Sequence, residues 1–359
     1  MPSPVSSSSP TPAESGFAMP AEWARHERTW MAWPTEGYTL GEEPDEAYRA
    51  WSQVANTIVR YEPVTMVIDP SPQARASATA WLDPAVQRVE RPLNDAWMRD
   101  IGPTFLTSAE PGTDGGGELA VADWVFNGWG AQAWAQWDKD AEIAAAVAEE
   151  AGARRFVSRM VNEGGGIHVD GEGTVLITET VQLDPGRNPE WTRQDVEREL
   201  EAFLGVRKVI WLARGLTRDY GEFGTRGHVD IVAAFVRPGV VVVHTQPDPG
   251  HPDHEVGKAN VALLRGETDA QGRPLEVVEL PAPTITVEAD GEPVDYSYIN
   301  HYVGNGFVIL CAFDDPRDQE AAEILGALLP DRKVELVDAR PIFERGGGIH
   351  CITQQQPAV

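Results

Sequence analysis

Cysteine, basic residues and long apolar runs are all scarce in this chain of 359 residues. Two cysteines are too few for a disulfide scaffold, and 29 Lys and Arg against 56 Asp and Glu give a formal net charge of −27. A basic surface for nucleic acid is therefore not expected. The acidity favours attraction of a cationic ligand, and it is equally compatible with a role in solubility alone.

The sequence also lacks the features of a membrane or secreted protein. No apolar run approaches membrane-spanning length, and the N-terminus has neither a basic start nor an apolar stretch. We therefore expect a cytoplasmic protein that binds no membrane and keeps its cysteines reduced. Residues 1–16 are rich in proline and serine, which is typical of a disordered tail, so the folded region is predicted to comprise residues 17–359.

The hydrophobic content of the whole chain, 42%, permits a large core. Short apolar runs alternate with amphipathic segments along the folded region. The apolar runs predict strands at 64–68, 174–178, 206–212, 240–244 and 307–310. Helical patterns lie at 47–59, 137–151, 193–204 and 318–329. This alternation predicts the α/β class.

Related glycine and histidine motifs recur along the chain. The segment 346–350 repeats 164–168 residue for residue, and the first copy is followed by Val169 where the second has Cys351. Six markers are spaced by 49 to 73 residues: His26, Trp97, His168, His228, His301 and His350. The spacing predicts about five modules. Modules arranged around an axis would bring their loops to one end, where we expect the functional site.

Cys351 is the candidate nucleophile. Three glycines stand shortly before it, and backbone without side chains lets a ligand approach closely, whereas Cys311 lies within an apolar strand. A lone cysteine is more often structural than catalytic, so this interpretation depends on the glycine run.

His228 is the candidate general acid or base, with Asp230 on the same face of an extended segment. The alternative is a core histidine beside a surface aspartate. His168 and Asp170 repeat the spacing, but a Gly-Glu-Gly turn follows them at once, which favours a structural role.

Two further carboxylates lie in loops. Asp100 follows Trp97 in the segment 94–103, and Glu163 precedes the first glycine run. Each alone is typical of an ordinary loop or turn. Together with Asp230, a histidine and a thiol, they indicate a pocket in which sulfur attacks a planar cation.

Six segments follow one another in a fixed order. They read HERTWMAWP at 26–34, NDAWMRDIGP at 94–103, FNGWG at 126–130, EGGGIHVDGEG at 163–173, GHVD at 227–230 and HCITQQQP at 350–357. In these six segments the chain resembles the agmatine deiminase family, which is related to bacterial peptidylarginine deiminases. The resemblance extends from about residue 19 to residue 357. The resemblance implies the pentein fold, a five-bladed pseudosymmetric α/β propeller in a single domain.

The resemblance also implies roles for five residues. The nucleophile is Cys351, the acid–base histidine is His228, the guanidinium-binding aspartates are Asp100 and Asp230, and Glu163 is the partner of the histidine. The implied reaction is hydrolysis of agmatine to N-carbamoylputrescine and ammonia through a thiouronium on the cysteine, within putrescine metabolism. We expect a small cationic guanidino substrate and neither a cofactor nor a metal. We also expect a homo-oligomer, namely a dimer.

Two departures from the family pattern bear on the substrate. Gly224 stands where the family carries an acid for the far amine of agmatine, and Arg226 lies two residues before the histidine, so Asp219 or Glu222 would have to receive that amine. An asparagine before the nucleophile is replaced by Gly348. We expect three further substrate-binding residues, Trp97, Glu222 and Gly348.

Other functions remain open. The substrate could be arginine, peptidylarginine or another guanidino compound, for which Arg226 could bind a carboxylate. A Cys-His-Asp amidohydrolase would use the same nucleophile and base without a second aspartate. The repeated His-x-Asp spacing also suits a metal enzyme that uses His168, Asp170, His228 and Asp230. A guanidine-binding protein without catalysis would have little use for the cysteine.

Overall fold

The structure is a computed structural model that describes residues 10–108, 116–287 and 294–359. Residues 1–9 of the predicted tail lie outside the described residues. Ala13–Ser15 form a short 3-10 helix, and the backbone amide of Phe17 donates to the carbonyl of Pro12. Local structure therefore begins before the predicted boundary at residue 17.

The strands of the described residues form five sheets. The first sheet has the order β16 (Gln354–Pro357), β1 (His26–Ala32), β2 (Val64–Ile68) and β3 (Gln87–Glu90). The second contains β4 (Thr104–Thr107), β5 (Leu119–Val125) and β6 (Arg154–Val161), and the third contains β7 (Ile167–Val169), β8 (Thr174–Thr178) and β9 (Lys208–Leu212). The fourth contains β10 (Ala233–Arg237), β11 (Val240–Thr245) and β12 (Glu276–Pro281), and the fifth β13 (Tyr302–Gly304), β14 (Phe307–Ala312) and β15 (Lys333–Asp338).

All five sheets share one pattern. The first strand pairs antiparallel with the second, and the second pairs parallel with the third, as in β4, β5 and β6. In the first sheet the antiparallel partner of β1 is β16, from the end of the chain. A parallel pair requires a crossover connection, which explains the alternation of strands and helices. Five of the six repeat markers lie within or shortly precede the antiparallel first strand of a sheet, as His301 precedes β13, and His26 begins β1, the second strand of the first sheet.

The helices lie mainly within these crossovers. Those of eight or more residues are α1 (Pro44–Ile58), α2 (Pro72–Trp81), α5 (Ile143–Glu150), α7 (Arg193–Leu204), α8 (Asp253–Arg265) and α9 (Asp318–Leu328). Single turns form α3 (Met98–Ile101), α4 (Gly128–Ala131), α6 (Glu179–Gln182) and α10 (Arg340–Phe343). Within the described ranges, none of the helices is long and apolar enough to cross a membrane.

The agreement with the predicted elements follows burial. β2 and β8 have the predicted bounds because every residue in them is buried, which produces a continuous apolar run. The sequence patterns do not predict the edge strands β6 and β15, along which exposed and buried residues mix, or the largely buried central strand β5, whose apolar run is interrupted by Asp123. The predicted helix 137–151 is shorter in the structure, where a 3-10 turn at Asp140–Glu142 precedes α5.

The fifth sheet offers a matched test of this burial pattern. Leu310 of β14 and Leu336 of β15 are register partners, but the first is 0% exposed and the second 44%. We expect Leu310→Ala to lower the free energy of unfolding by about 2–5 kcal/mol, because it leaves a cavity in the core. Leu336→Ala should change it by less than about 0.5 kcal/mol. Urea unfolding followed by circular dichroism measures both, and equal losses would contradict the difference in burial between the two side chains.

Candidate active site

The segments that connect one sheet to the next supply the candidate residues. Asp100 lies in α3, between β3 and β4, and Glu163 lies between β6 and β7. His228 and Asp230 lie between β9 and β10, and Cys351 between β15 and β16. Because these segments all open the first strand of a sheet, their side chains meet although up to 251 positions separate them. All five residues predicted as catalytic are buried.

His228 is held by a buried acid. Its Nε2 lies 3.2 Å from Glu163 Oε2, and Arg187 Nε is 3.0 Å from both oxygens of Glu163. Burial opposes the charge of the imidazole, but Asp100 and then Glu163 outweigh it and raise the pKa of His228 to about 9. Burial likewise acts to raise the pKa of Glu163, but Arg187 and then His228 lower it to about 2. The pair is therefore an imidazolium and a carboxylate at neutral pH.

Asp100 and Asp230 are buried carboxylates with different partners. Trp129 Nε1 donates to Asp100 Oδ2 at 2.9 Å, and the amide of Gly165 donates to Asp100 Oδ1 at 3.0 Å. Burial raises the pKa of Asp100. Burial acts in the same direction on Asp230, but the hydrogen bond and charge of His350 outweigh it and lower the pKa of Asp230. Its Oδ2 lies 2.8 Å from His350 Nδ1.

Gly165 marks the point at which these groups converge. A Cβ on this glycine would lie 2.5 Å from His228 Nδ1, 3.0 Å from Asp230 Oδ2 and 3.1 Å from Asp100 Oδ1. Among the described residues, His228 Nδ1 and Asp230 Oδ1 are buried atoms without a hydrogen-bond partner. Because buried polar atoms rarely remain unpaired, these two atoms on residues that converge at Gly165 indicate a ligand site.

The thiol of Cys351 faces the same place. Its Sγ lies 3.5 Å from Asp230 Oδ2 and receives a hydrogen bond from Asn300 Nδ2 at 3.3 Å. Burial, followed by the charges of Asp230 and Asp100, raises the pKa of this thiol well above its ordinary value. The backbone of Gly348 donates toward the sulfur and acts in the opposite direction. The cysteine is therefore a thiol until a cation binds nearby.

The other residues predicted to bind substrate occupy different positions around this site. Trp97 packs beside the nucleophile loop, since a Cβ on Gly347 would lie 2.6 Å from its ring. A Cβ on Gly348 would lie 2.4 Å from Asn300 Oδ1, so close packing explains that glycine. Glu222 is exposed and lines a pocket that also includes Asp295.

Asp219 is not available to receive a substrate amine, contrary to one of the two sequence-based possibilities. Its carboxylate accepts the amides of Thr225, Gly227 and His228, at 2.6, 2.5 and 3.2 Å. It therefore shapes the loop that carries the histidine. A Cβ on Gly224 would lie 2.1 Å from the carbonyl of Asp219, so this loop conformation leaves no room for the acid found in the family pattern.

The residues proposed for a metal site are not brought together as ligands. His168 Nδ1 accepts the amide of Phe235 at 3.2 Å, and Asp170 Oδ1 accepts the amides of Glu172 and Thr174 at 2.8 Å. Asp170 thus stabilises its own turn. In the ranges that the structure describes, no group of three or more His, Cys, Asp or Glu side chains is arranged to hold a metal ion.

Sequence reasoning missed five residues of the site and its surroundings. Trp129 lies in the FNGWG segment, and His350 immediately precedes the nucleophile, so both were within recognised motifs without a role. Asn300 stands one position before a repeat marker. Arg187 and Glu22 carry no local signal for the site, because the site residues that they contact, Glu163 and His350, lie at least 24 positions away in the sequence.

Comparisons with known proteins agree with this geometry. The model of the Porphyromonas-type peptidyl-arginine deiminase family matches residues 18–357. A putative agmatine deiminase of Streptomyces avermitilis is 63% identical over 351 residues, covering 97% of this chain and 99% of the relative. The agmatine deiminase of Stutzerimonas stutzeri is 39% identical over 369 residues, covering 97% of both. This chain belongs to the agmatine deiminase family.

The fold of this chain can also be compared with that of a solved structure. The agmatine deiminase of Enterococcus faecalis has a TM-score of 0.88 and 32% identity, covering 97% of this chain and 98% of that one. The predicted α/β class and pentein fold are thereby confirmed. Membership also confirms that the chain is an enzyme, a hydrolase of guanidino groups.

Two neighbouring glycines test whether the convergence point is the reaction site. We expect Gly165→Ala to lower ammonia release from a guanidino substrate at least about a hundredfold, because its methyl group would displace the reacting groups. Gly166→Ala is the control, since its Cβ would meet the side chains of Val181 and Gln182 at 3.2 and 3.3 Å. Ammonia assays with thermal melts measure both. Full activity in Gly165→Ala would show that the reaction does not take place at this point.

Proposed function

We propose that the chain is a cytoplasmic agmatine deiminase that hydrolyses agmatine to N-carbamoylputrescine and ammonia, in putrescine metabolism. The relatives named agmatine deiminase, at up to 63% identity, support this substrate. The observation that carries the chemistry is the convergence of His228 Nδ1, Asp230 Oδ2 and Asp100 Oδ1 on Gly165, with the Cys351 thiol 3.5 Å from the same Asp230 oxygen.

The two aspartates hold the guanidinium. This group is planar and cationic with several N–H donors, so Asp100 and Asp230 bind it through charge-assisted hydrogen bonds on different edges. Asp230 Oδ1 gains the partner that it lacks among the described residues. The bound cation also offsets the two negative charges that raise the pKa of Cys351, which favours the thiolate at the moment when the electrophile is present.

Attack then forms a covalent intermediate. The sulfur of Cys351 bonds to the central carbon of the guanidinium as the π electrons of a C–N bond move onto nitrogen. The thiol proton leaves to solvent when the cation binds, and His228 donates its Nδ1 proton to the departing nitrogen, which leaves the imidazole neutral. The C–N bond breaks with its electron pair on nitrogen, ammonia leaves, and a thiouronium remains on the sulfur. Glu163 keeps the imidazole oriented through Nε2.

Water completes the reaction. His228, neutral after ammonia has taken its proton, removes a proton from water, whose oxygen adds to the thiouronium carbon. The C–S bond breaks with its electron pair on sulfur, the hydroxyl proton of the adduct passes to that thiolate, and the neutral ureido product leaves. A Cys-His-Asp amidohydrolase needs one aspartate to orient its histidine. Here Glu163 has that position, and both aspartates remain for the cation.

The far amine of agmatine is proposed to bind near Glu222. This residue lines the same pocket as Gly224, where the family pattern has an acid, and Asp295 supplies a second carboxylate there. Arg226, the residue that would favour a carboxylate-bearing substrate such as arginine, forms an ion pair with Asp184 at 3.2 Å. That pairing supports agmatine over arginine.

The two cysteines of the chain form a matched pair for a test of the nucleophile. Cys351→Ser should fold and show no measurable turnover, because a serine hydroxyl forms no comparable anion at neutral pH. Cys311→Ala should keep activity, since burial raises the pKa of that thiol to about 12 and it lies within β14. Mass spectrometry of enzyme quenched during turnover should find the adduct on the peptide that contains Cys351. An adduct on Cys311 instead would contradict the mechanism.

The amine site is tested with two substrates and two variants. Glu222→Gln should raise the KM for agmatine about two- to fivefold, as expected for an exposed ion pair, and leave butylguanidine, which lacks the amine, unchanged. Asp219→Asn should impair both substrates alike, because it disturbs the histidine loop. A panel with arginine and a blocked arginine peptide measures preference. Faster turnover of either than of agmatine would replace the proposed substrate.

A further inference from the structure

Glu22 lies before β1, in a segment without a recognised motif, yet its carboxylate reaches the rear of the active site. It is buried, with 3% exposure. Its Oε1 lies 2.8 Å from His350 Nε2 and 3.2 Å from Arg99 Nη1, and its Oε2 lies 3.5 Å from His168 Nε2. A buried carboxylate with three nitrogen partners is fixed in position rather than free to rotate.

His350 connects this carboxylate to the site. Its Nε2 faces Glu22 and its Nδ1 faces Asp230, both at 2.8 Å. A neutral imidazole has one N–H, so it would turn a lone pair toward one of the two carboxylates, whereas an imidazolium donates to both. Burial and Arg99 act to lower the pKa of His350, but Glu22 and Asp230 outweigh them and raise it. The two short carboxylate contacts therefore favour the imidazolium form of the ring.

We propose that Glu22 is a positioning residue, which acts through His350 to hold the Asp230 carboxylate ionised and turned toward the guanidinium. The inference rests on the proposed role of Asp230 in binding that group. His350 occupies Oδ2 of Asp230, which leaves Oδ1 for the substrate. His350 is also held through its backbone, because its amide donates to Asn300 Oδ1 at 2.9 Å.

The charge of His350 depends on a defined set of neighbours. The groups that face it are Glu22, Asp230, Arg99, His168 and His301. His168 accepts a backbone amide at Nδ1, so its proton lies on Nε2, toward Glu22. Burial lowers the pKa of His301 to about 4, which leaves it neutral. Removal of the Glu22 charge therefore leaves His350 beside Arg99 with one carboxylate.

The chain provides a matched control in a second buried Glu–His pair. Glu62 Oε1 lies 3.0 Å from His26 Nδ1, and the other described partners of Glu62 are Thr29, Tyr302 and the amide of Asn305. His26 Nε2 in turn lies 2.8 Å from the backbone carbonyl of Glu22, so this pair reaches Glu22 through its backbone and not through its carboxylate. Glu62→Gln thus makes the same chemical change in a similar environment and leaves the contacts of the Glu22 carboxylate with His350 and Arg99 in place.

The experiment measures kcat and KM for agmatine from pH 5 to 9 in Glu22→Gln, His350→Gln, the double variant and Glu62→Gln. We expect Glu22→Gln to lower kcat/KM about 10- to 100-fold, as loss of a carboxylate behind a functional histidine does elsewhere. In the His350→Gln background the same change should cost less than about threefold, because its intermediary is gone. Glu62→Gln should lower the melting temperature and keep kcat/KM within about threefold.

The pH profile gives a readout that a purely structural role would not change. Asp230 must be ionised to bind a guanidinium, and the His350 cation keeps the pKa of Asp230 low. Loss of that cation raises the pKa of Asp230, so the acid limb of kcat/KM should move to higher pH in Glu22→Gln and His350→Gln. It should stay in place in Glu62→Gln. Additive losses in the double variant, or an unmoved acid limb, would overturn the proposal.

Wild-type protein supplies a measurement that does not depend on the folding of any variant. In protein with nitrogen-15 histidine, the His350 ring should show two N–H signals at pH 7, the signature of an imidazolium. A neutral His350 ring would overturn the proposal even if the variants fail to fold. If wild-type enzyme released no ammonia from any guanidine, the proposed function would fail, whereas an unaffected Glu22→Gln in an active enzyme would refute this inference alone.

Discussion

The active site depends on burying Asp100, Asp230 and Glu163 side by side, which is costly unless each charge is compensated. Arg187 compensates Glu163 and His350 compensates Asp230 through short contacts. Asp100 has hydrogen bonds from neutral donors and an imidazolium at 3.9 Å. A planar cation bound between the aspartates would supply the missing partner. The electrostatics of these buried groups therefore favour a cation over neutral ligands.

The same electrostatics control the nucleophile. Two nearby carboxylates and burial hold Cys351 as a thiol, so it is a weak nucleophile in the free enzyme. Binding of a cation weakens this effect at the sulfur. In the proposed mechanism, reactivity and substrate recognition are thus linked through one charge.

The repeated architecture explains how distant residues meet. Each segment that leads into a new sheet contributes to the site, and the last one contributes the cysteine. Pairing of β16 with β1 closes the first sheet with the end of the chain. The amide of Arg99 also donates to the carbonyl of Cys351 at 3.0 Å, which joins the nucleophile loop to the helix that carries Asp100. Closure of the sheet is therefore also assembly of the site.

The sequence by itself determined the α/β class, the modular repeat and the reactive residue types. Continuous apolar runs report strands such as β8, and glycine motifs such as that before Cys351 report close approach to a ligand. Only the tertiary structure decided that Glu22 supports His350, and that Asp219 shapes a loop instead of facing the substrate. Charge compensation and loop hydrogen bonds join residues across the chain, and such pairings leave no local pattern in a single sequence.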